Sequence, residues 1–465
     1  MFALKKNEGF NVLLKLIHDS NKTDTDTDTS SVPNDYSKDI EKILSSLKLT
    51  MKNWKTDTGM YSMIKYDKQA YGLIQDDYNT IGLLRSVVVD DKGRIVAFSP
   101  PKSLFVTKER EDHFNKNNIM SPMEDDDDKI INTNEWYAEE FVEGTMINLF
   151  YSDKGEAWEI ATKSTVGGNV TFFSPKNPKE NIEVRDKDTF RNMFFETCAK
   201  LGFKYENLPK EFMYSFVLQH PKNRIVLPIN QATLYIIGVY SVNQDTLEVL
   251  QLNAKGVVDK YCDNLVLRPK ALSCDDYTVC GLTNEYASMN SSFDIMGVVF
   301  NNMITGERMK IRNPNYEMVK NMKGNEQKLQ LQYLTLRHGG RIADYLKCYP
   351  EYKSDFSVFR AQVHAFTNSL HQNYISCYIY KKSKFDEFPK QYKKHMFALH
   401  KKYIEELREL KGSVTFNYVV VYVNGLRPAD LLYSLNYVIM EHKKKIKRIE
   451  EPVIDETSSP KYMEV

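Results

Sequence analysis

The sequence has little that would mark a secreted, zinc-binding or membrane-spanning protein. Its 465 residues include only six cysteines, with no CxxC pair and no nearby histidine at metal-ligand spacing, which argues against a zinc site and a disulfide framework. No run of about 18 apolar residues occurs, and the first helix candidate, Phe10 to His18, contains Lys15 and closely follows Lys5 and Lys6. The net charge is only +1, so any basic surface must be local. We expect a cytoplasmic protein with no membrane partner.

Composition divides the chain into four parts. Residues 1–35 end in a polar TDTDTDTSS tract, Thr23 to Ser31, which is too polar to order itself and is predicted to be a flexible tether. Residues 36–323 are rich in hairpin patterns, residues 324–450 have helical spacing, and residues 451–465 form a polar tail. Within the second part, the acidic stretch 121–129 is predicted to be an exposed loop because its like charges repel.

Local patterns predict an α+β protein, with an antiparallel β-rich domain followed by a mainly α-helical one. Four stretches combine β-forming runs with a polar turn: Ser86 to Phe98, Met146 to Lys163, Leu234 to Leu252 and Val298 to Arg312. Helical spacing occurs at Asp188 to Leu201 and, further on, at Phe356 to Tyr380 and Tyr392 to Lys411. The β-branched stretch Val414 to Val423 favours a strand within the helical domain.

The helical domain is also the basic part of the chain. Between Lys381 and Arg448 there are sixteen Lys/Arg residues against seven Asp/Glu, and four tyrosines lie nearby: Tyr374, Tyr378, Tyr380 and Tyr392. Basic and aromatic side chains mixed in this way can hold phosphates and stack bases, which makes RNA a candidate partner. The alternative is that the lysines form solvated helix faces and the tyrosines belong to the core.

Several short segments of the β-rich domain occur in a characteristic order. They are Arg85 to Val87 with Ile95 to Lys102, Glu139 to Gly144 (EEFVEG), Thr162 to Ser164, Phe216 to Val226 (FVLQHPKNRIV), Gly297 to Val299, and Met309 to Tyr316 (MKIRNPNY). Together they resemble the motifs of phage-type ATP-dependent RNA ligases of the T-even group, which are covalent nucleotidyltransferases. The resemblance implies an ATP-grasp-like nucleotidyltransferase domain. The helical domain, through patterns such as LHxxY, resembles proteins of large DNA viruses of protists.

Three positions depart from the chemistry that this resemblance implies. In the family, a lysine attacks the α-phosphate of ATP to form lysyl-AMP, and two carboxylates help to bind a divalent metal. The corresponding positions are Phe141, Val217 and Met296. Because apolar side chains replace all three groups, we predict no catalytic residue and no metal site. No cofactor is expected, and ATP and Mg²⁺ would be needed only by an active enzyme.

Polar residues persist where the family binds nucleotide or phosphate. They are Arg85, Glu143, Gly144, Lys163, Arg224, Lys310 and Arg312. In a strand, Lys310 and Arg312 would share one face while Met309 and Ile311 share the other, so that two cations point together. The alternatives are surface or ion-paired lysines, and a glycine at position 144 that serves a tight bend.

Three functions remain open on this evidence. The preferred one is a pseudoenzyme: a catalytically inactive RNA-ligase-like protein that binds RNA or acts as a scaffold with other viral proteins, in the host cytoplasm, a viral factory or the virion. The second is an active RNA ligase in which Lys163 or Lys310 is the nucleophile and Asp294 replaces one carboxylate. The third is a purely structural virion protein.

Overall fold

The computed structural model describes residues 2–4, 8–23, 36–69, 82–104, 106–118, 136–171, 188–302, 307–324, 326 and 328–442. The predicted tether beyond Thr23, the acidic loop 121–129, the basic run 443–448 and the tail 451–465 lie outside these residues. The chain divides into two compact units, a first that ends at Gly324 and a second that follows it. In the described part of the chain, no helix is long and apolar enough to cross a membrane.

The first unit is built from antiparallel strands and short helices. Its strands are β1 (Phe2–Ala3), β2 (Leu49–Thr56), β3 (Gly59–Tyr66), β4 (Val87–Asp90), β5 (Ile95–Phe98), β6 (Trp136–Glu140), β7 (Thr145–Ser152), β8 (Ala157–Thr162), β9 (Met213–Gln219), β10 (Thr233–Asn243), β11 (Glu248–Leu252), β12 (Gly297–Asn302) and β13 (Arg308–Arg312). Its helices are α1 (Glu8–Thr23), α2 (Tyr36–Ser46), α3 (Lys108–Asn117), α4 (Phe190–Leu201), α5 (Ala254–Tyr261), α6 (Val279–Tyr286) and α7 (Pro314–Lys323).

The strands form three sheets. A six-stranded sheet has the order β1-β11-β10-β9-β7-β8, a four-stranded sheet the order β2-β3-β4-β5, and a three-stranded sheet the order β13-β12-β6. The four predicted hairpins are confirmed, since β4 pairs with β5, β7 with β8, β10 with β11, and β12 with β13, all antiparallel. The predicted helix at Asp188 to Leu201 is also confirmed as α4.

Each sheet buries an apolar face against helices. Helix α1 contributes Phe10, Leu13 and Ile17 to a core shared with α2 and the four-stranded sheet, so the N-terminal helix belongs to the first unit. Phe190 and Phe194 of α4 pack on the six-stranded sheet. The three-stranded sheet packs against α3 and α6.

The described part of the second unit is helical. Its helices are α8 (Leu329–His338), α9 (Ile342–Cys348), α10 (Lys353–Tyr374), α11 (Lys390–Lys402), α12 (Phe416–Asn424) and α13 (Pro428–Leu435). Helices α10 and α11 confirm two predicted helices, and each continues into one π-helical turn, at Ile375–Ile379 and Tyr403–Leu407.

The strand predicted at Val414 to Val423 is wrong, because these residues lie largely in α12. Thr415 caps this helix, its hydroxyl accepting a hydrogen bond from the backbone N–H of Tyr418 at 3.2 Å. Val419 and Val423, one turn apart, are buried, whereas Val421 is 69% exposed. Valine lowers helix propensity only slightly, so burial of one helix face outweighs the β preference of these residues.

Candidate functional site

The three-stranded sheet has one apolar and one polar face, and the polar face carries the candidate site. Val299 in the central strand β12 pairs with Lys310 on one side and with Glu139 on the other, so these three side chains share a face. By the same register, Gly297 lies opposite Arg312. The opposite face is buried and apolar, with Trp136, Ala138, Val298, Phe300 and Met309. The predicted division of β13 into a cationic and an apolar face is therefore confirmed.

Phe141, at the position expected for the nucleophile, lies against two of the cations. Its backbone N–H donates to the carbonyl of Gly297 at 3.1 Å, which extends the pairing of β6 with β12 by one residue. The Nζ atom of Lys310 is 5.6 Å and the guanidinium carbon of Arg312 is 5.7 Å from the centre of the Phe141 ring. Such cation–π contacts contribute about 0.5–2 kcal/mol each. An aromatic ring thus holds in place two cations that were predicted to bind phosphate.

The two positions expected to carry carboxylates offer no oxygen ligand. Val217 lies within β9, is buried, and pairs with Met146 and Tyr235. Met296 is half-buried just before β12, and its carbonyl accepts a hydrogen bond from Asn313 at 3.0 Å. Among the described residues, no group of three or more His, Cys, Asp or Glu could hold a metal ion. The residues present therefore do not fit the divalent metal that the resemblance implies.

Asp294 is the carboxylate that the active-ligase alternative would use. It is exposed and lies in a turn before β12, where its carboxylate accepts a hydrogen bond from the hydroxyl of Ser292 at 3.1 Å. The prediction that Asp294 and Met296 share a strand face is wrong, because β12 begins only at Gly297.

Five cationic side chains form one electrostatic group, which we call the cation cluster: Arg85, Lys163, Arg308, Lys310 and Arg312. Burial, together with repulsion from the other four members, lowers the pKa of Lys310 to about 7. Burial likewise lowers the pKa of Lys163 to about 8, with repulsion from Arg85 and from the nearby Lys65, Lys68 and Lys102. The fold therefore concentrates positive charge at a cost in stability.

Few carboxylates compensate this charge. Arg312 forms an ion pair with Glu317 at 2.5 Å, and Arg308 donates to the amide oxygen of Asn301 at 3.0 Å. Arg85 donates to the carbonyl of Pro100 at 3.3 Å. Within the described residues, neither Lys163 nor Lys310 has an acidic partner. Two cations are thus available to an anionic ligand.

Glu139 and Arg308 belong to this site but were missed in the sequence. Burial raises the pKa of the Glu139 carboxyl to about 7, although the nearby Arg308 opposes the shift. Glu139 stands two residues before Phe141, and Arg308 two residues before Lys310. The period of two along a strand would have placed both residues on the polar face.

Glu143, Gly144 and Arg224 lie where a separate loop is anchored. The Glu143 side chain is 3% exposed and accepts hydrogen bonds from the backbone N–H groups of Val226 and Leu227, at 3.1 to 3.2 Å. Arg224 donates to the carbonyl of Val226 at 3.0 Å, and Lys323 donates to the carbonyl of Arg224. Glu143 thus ties the end of the FVLQHPKNRIV segment to the residues that follow Phe141.

Gly144 is required by a close approach of the backbone to β9. It has a φ of +153°, and a Cβ atom at this position would lie 2.6 Å from both the carbonyl oxygen of Leu218 and a methyl carbon of Val217. This geometry agrees with the reading of Gly144 as a residue that permits a tight bend.

In the second unit, the predicted mixture of basic and aromatic residues is largely part of the packing. Tyr374 is buried, Tyr392 stacks on Phe366 at 5.2 Å, and Tyr378 stacks on His400 at 3.8 Å. Of the four tyrosines, Tyr380 is the one that is mostly exposed, at 65%.

Several lysines of this unit form ion pairs, Lys393 with Asp386 at 3.6 Å and Lys401 with Glu405 at 3.7 Å among them. The pair of Lys401 and Glu405 is exposed, and such pairs are weak, so Lys401 remains accessible to a competing anion. The RNA role predicted for this region stays a prediction.

The comparisons with known proteins point to RNA ligases over part of the chain. No protein-family profile matches it. A segment of 108 residues is 32% identical to an RNA ligase of Rhodothermus phage RM378, over 23% of this chain and 23% of that ligase. Among solved structures, the Naegleria gruberi RNA ligase with PPi gives a TM-score of 0.27 at 12% identity, over 39% of this chain and 50% of that chain. The same ligase, as a mutant with ATP and Mn, gives 0.25 at 12% identity, over 39% and 50%.

The chain therefore matches about a quarter of the length of the curated relative and half of the solved chains. A partial similarity to an RNA ligase is established in sequence, and an α+β architecture with antiparallel sheets is established in the structure.

Proposed function

We propose that this chain is an RNA-ligase-like protein that binds RNA through the cation cluster and does not form lysyl-AMP. The observation that carries the proposal is the contact of Phe141 with Lys310 and Arg312. An uncharged ring occupies the position expected for the attacking amine, while cations that can bind phosphate remain around it. The sequence similarity to a phage RNA ligase supports RNA as the ligand.

The loss of adenylylation follows from the side chains at three positions. Removing a covalent nucleophile costs a factor of about a million in rate. Val217 and Met296 add to this, since without carboxylates the site has no ligands for a metal that would offset the charge on the transferred phosphate.

One observation favours the second candidate, an active enzyme with a displaced nucleophile. Burial and the neighbouring cations lower the pKa of Lys310 to about 7, so at neutral pH a fraction of the molecules carries an uncharged amine that could attack a phosphate. Against this candidate, Val217 and Met296 still replace the two carboxylates that would bind the metal, and a neutral amine at Lys310 does not supply them. The two candidates differ in one readout, a covalent AMP adduct.

RNA binding by this site has a definite electrostatic signature. Each phosphate neutralised on a single strand contributes about −0.7 to the slope of log K against log salt. If Lys163, Lys310 and Arg85 each bind one phosphate, the slope of log K against log salt should be about −2. Removing one of these cations should weaken binding and make the slope shallower.

The test combines two assays on the full chain. Incubation with radiolabelled ATP and Mg²⁺, followed by denaturing electrophoresis, should give no labelled band, and a labelled band would overturn the inactive assignment. Fluorescence anisotropy with a 5′-phosphorylated RNA should show binding that weakens as salt rises. Lys163→Met should weaken it, whereas Lys200→Met should not, since Lys200 lies on the exposed face of α4 and pairs with Glu196.

If RNA is not bound even at low salt, the RNA-binding role is wrong. That result would favour the scaffolding role, with other viral proteins or within a virus particle, because the fold would then be retained for contacts other than phosphate.

A further inference from the structure

We infer that the cation cluster binds polyphosphate groups directly, without a divalent metal, and that Mg²⁺ competes with the site for its ligand. This inference rests on the proposed function, because it names the ligand chemistry and the metal dependence of the same site. The divalent metal that the resemblance implies does not fit the residues at the expected metal-binding positions, Val217 and Met296.

The positive charge of the cluster is only partly balanced. Of the five cations, Arg312 is paired with Glu317, and Arg308 lies beside Glu139 and Asn301. Arg85 is bonded to a carbonyl, and Lys163 and Lys310 have no acidic partner among the described residues. Net positive charge is therefore left on Arg85, Lys163 and Lys310. A multiply charged anion is the ligand that would relieve their mutual repulsion.

Among the described residues, the site lacks the donor set that Mg²⁺ requires. Mg²⁺ is bound in proteins by carboxylates together with water and phosphate oxygens. At this site the expected carboxylate positions carry Val217 and Met296, and Asp294 points to a turn. Glu139 shares its face with Lys310 and lies next to Arg308, so a metal there would be repelled by two cations. The arginines and lysines thus take over the charge neutralisation that a metal performs in the family.

The three uncompensated cations come from separate parts of the first unit. Arg85 lies just before β4, Lys163 just after β8 and Lys310 within β13. A ligand with several linked phosphoryl groups can therefore contact more of them at once than a single phosphate can. Lys310 and Arg312 are also held in place by the Phe141 ring. We therefore expect a preference for linked phosphates, such as tripolyphosphate, over inorganic phosphate.

Mg²⁺ reduces the negative charge of a polyphosphate that it binds. Tripolyphosphate complexed with Mg²⁺ carries two fewer negative charges, and some of its oxygens are already coordinated. Because the attraction is to the charge of the free anion, the complex should bind more weakly than the free ligand. This is opposite to the behaviour of a site that uses metal-bound nucleotide.

The experiment is calorimetric titration of the full chain with inorganic tripolyphosphate, once in EDTA and once in excess Mg²⁺. We expect binding in EDTA, at least about fivefold weaker binding in Mg²⁺, and weaker binding of orthophosphate than of tripolyphosphate. Lys163→Met and Lys310→Met should each lower the affinity in EDTA by about tenfold or more, since each removes one charge-assisted contact. Lys200→Met should bind like the unaltered chain. Thermal unfolding of each variant shows that it is folded.

A second readout uses the lysine itself. Pyridoxal 5′-phosphate carries a phosphate for the cluster and an aldehyde that condenses with an uncharged amine, with loss of water, and borohydride then reduces the imine. We expect labelling at Lys310, found by peptide mass spectrometry, and protection by tripolyphosphate. Pyridoxal without the phosphate should label Lys310 poorly.

The outcomes separate this inference from the proposed function. Binding of tripolyphosphate that requires Mg²⁺, or no binding in EDTA, overturns the inference, even if RNA is bound. Metal-independent binding of tripolyphosphate without binding of RNA supports the inference and overturns RNA as the ligand. Equal affinity in the Lys163→Met and Lys310→Met variants would place the ligand elsewhere and would also overturn it.

Discussion

Replacing Phe141 by lysine tests whether an amine at this position is tolerated by the folded protein and restores adenylylation. The new amine would stand near Lys310 and Arg312, whose charged groups lie 5.6 and 5.7 Å from the ring that it replaces. At an effective dielectric constant of about 20, like charges at this distance cost about 3 kcal/mol. At pH 7.5 this cost comes mainly from Arg312, because the pKa of Lys310 is about 7. The variant also loses two cation–π contacts.

The amine can escape this repulsion by losing its proton, which sets an upper limit on the cost. Neutralising a lysine of ordinary pKa costs about 4 kcal/mol at pH 7.5 and about 2 kcal/mol at pH 9. Because Phe141 is half-buried, solvent screening reduces the repulsion. We therefore expect Phe141→Lys to lower the free energy of unfolding by about 2–4 kcal/mol more than Phe141→Met at pH 7.5.

The pH dependence of this difference has a definite sign. The folded variant binds fewer protons than the unfolded chain between the lowered and the ordinary pKa of the lysine, so its stability rises with pH in that window. The gap between the lysine and methionine variants should therefore shrink from pH 7.5 to pH 9. Urea denaturation at both pH values measures it, with Phe141→Met as the uncharged control.

The same variant should not recover adenylylation, although it restores an amine. Val217 and Met296 still offer no metal ligand, so the phosphate charge in the transition state remains uncompensated by metal. A lysyl-AMP adduct in Phe141→Lys would refute this reasoning, as would a stability equal to that of Phe141→Met at both pH values.

Three further substitutions test other parts of the account. Lys310→Met should weaken anion binding but stabilise the protein below about pH 7, where the buried lysine is charged. The gain in stability should vanish as the pH rises toward the ordinary pKa of lysine, because the folded protein then no longer holds a buried charge. Urea denaturation at several pH values measures this gain. Glu143→Ala should lower the free energy of unfolding by about 2–4 kcal/mol, because it leaves the N–H groups of Val226 and Leu227 without a partner. The control is Glu140→Ala, which removes a half-buried glutamate of the same segment and should cost less. Gly144→Ala should cost about 3 kcal/mol or more, because its Cβ would meet the Leu218 carbonyl at 2.6 Å, and a loss below about 0.5 kcal/mol would contradict the close approach.

The sequence was informative where structure is set locally. The four hairpins follow from short β-forming runs around polar turns, and the alternation along β13 correctly placed Lys310 and Arg312 on one face. The β-branched composition of Val414 to Val423 favours a strand, but these residues lie largely in a helix. The spacing of Val419 and Val423, four residues apart and both buried, fits one face of that helix.

The site itself depends on contacts between distant parts of the chain. Glu143 was assigned to nucleotide binding by its place in a motif, but its hydrogen bonds reach backbone groups 83 and 84 residues away. The stacking of two cations on Phe141 joins residues from β13 and from the end of β6, which only the three-stranded sheet brings together. That apolar residues occupy the three expected catalytic positions could be read from the sequence alone. How the neighbouring cations are arranged around them could not.

The intact mass of the full chain after incubation with ATP and Mg²⁺ shows whether this protein forms lysyl-AMP. Mass spectrometry would detect an AMP adduct on any lysine, including Lys163 and Lys310, without an assumption about which one reacts. We expect the mass to remain that of the unmodified chain. A mass increase of one adenylyl group would contradict this expectation. If the increase is absent in Lys310→Met, the amine of Lys310 is the displaced nucleophile and the protein is an enzyme.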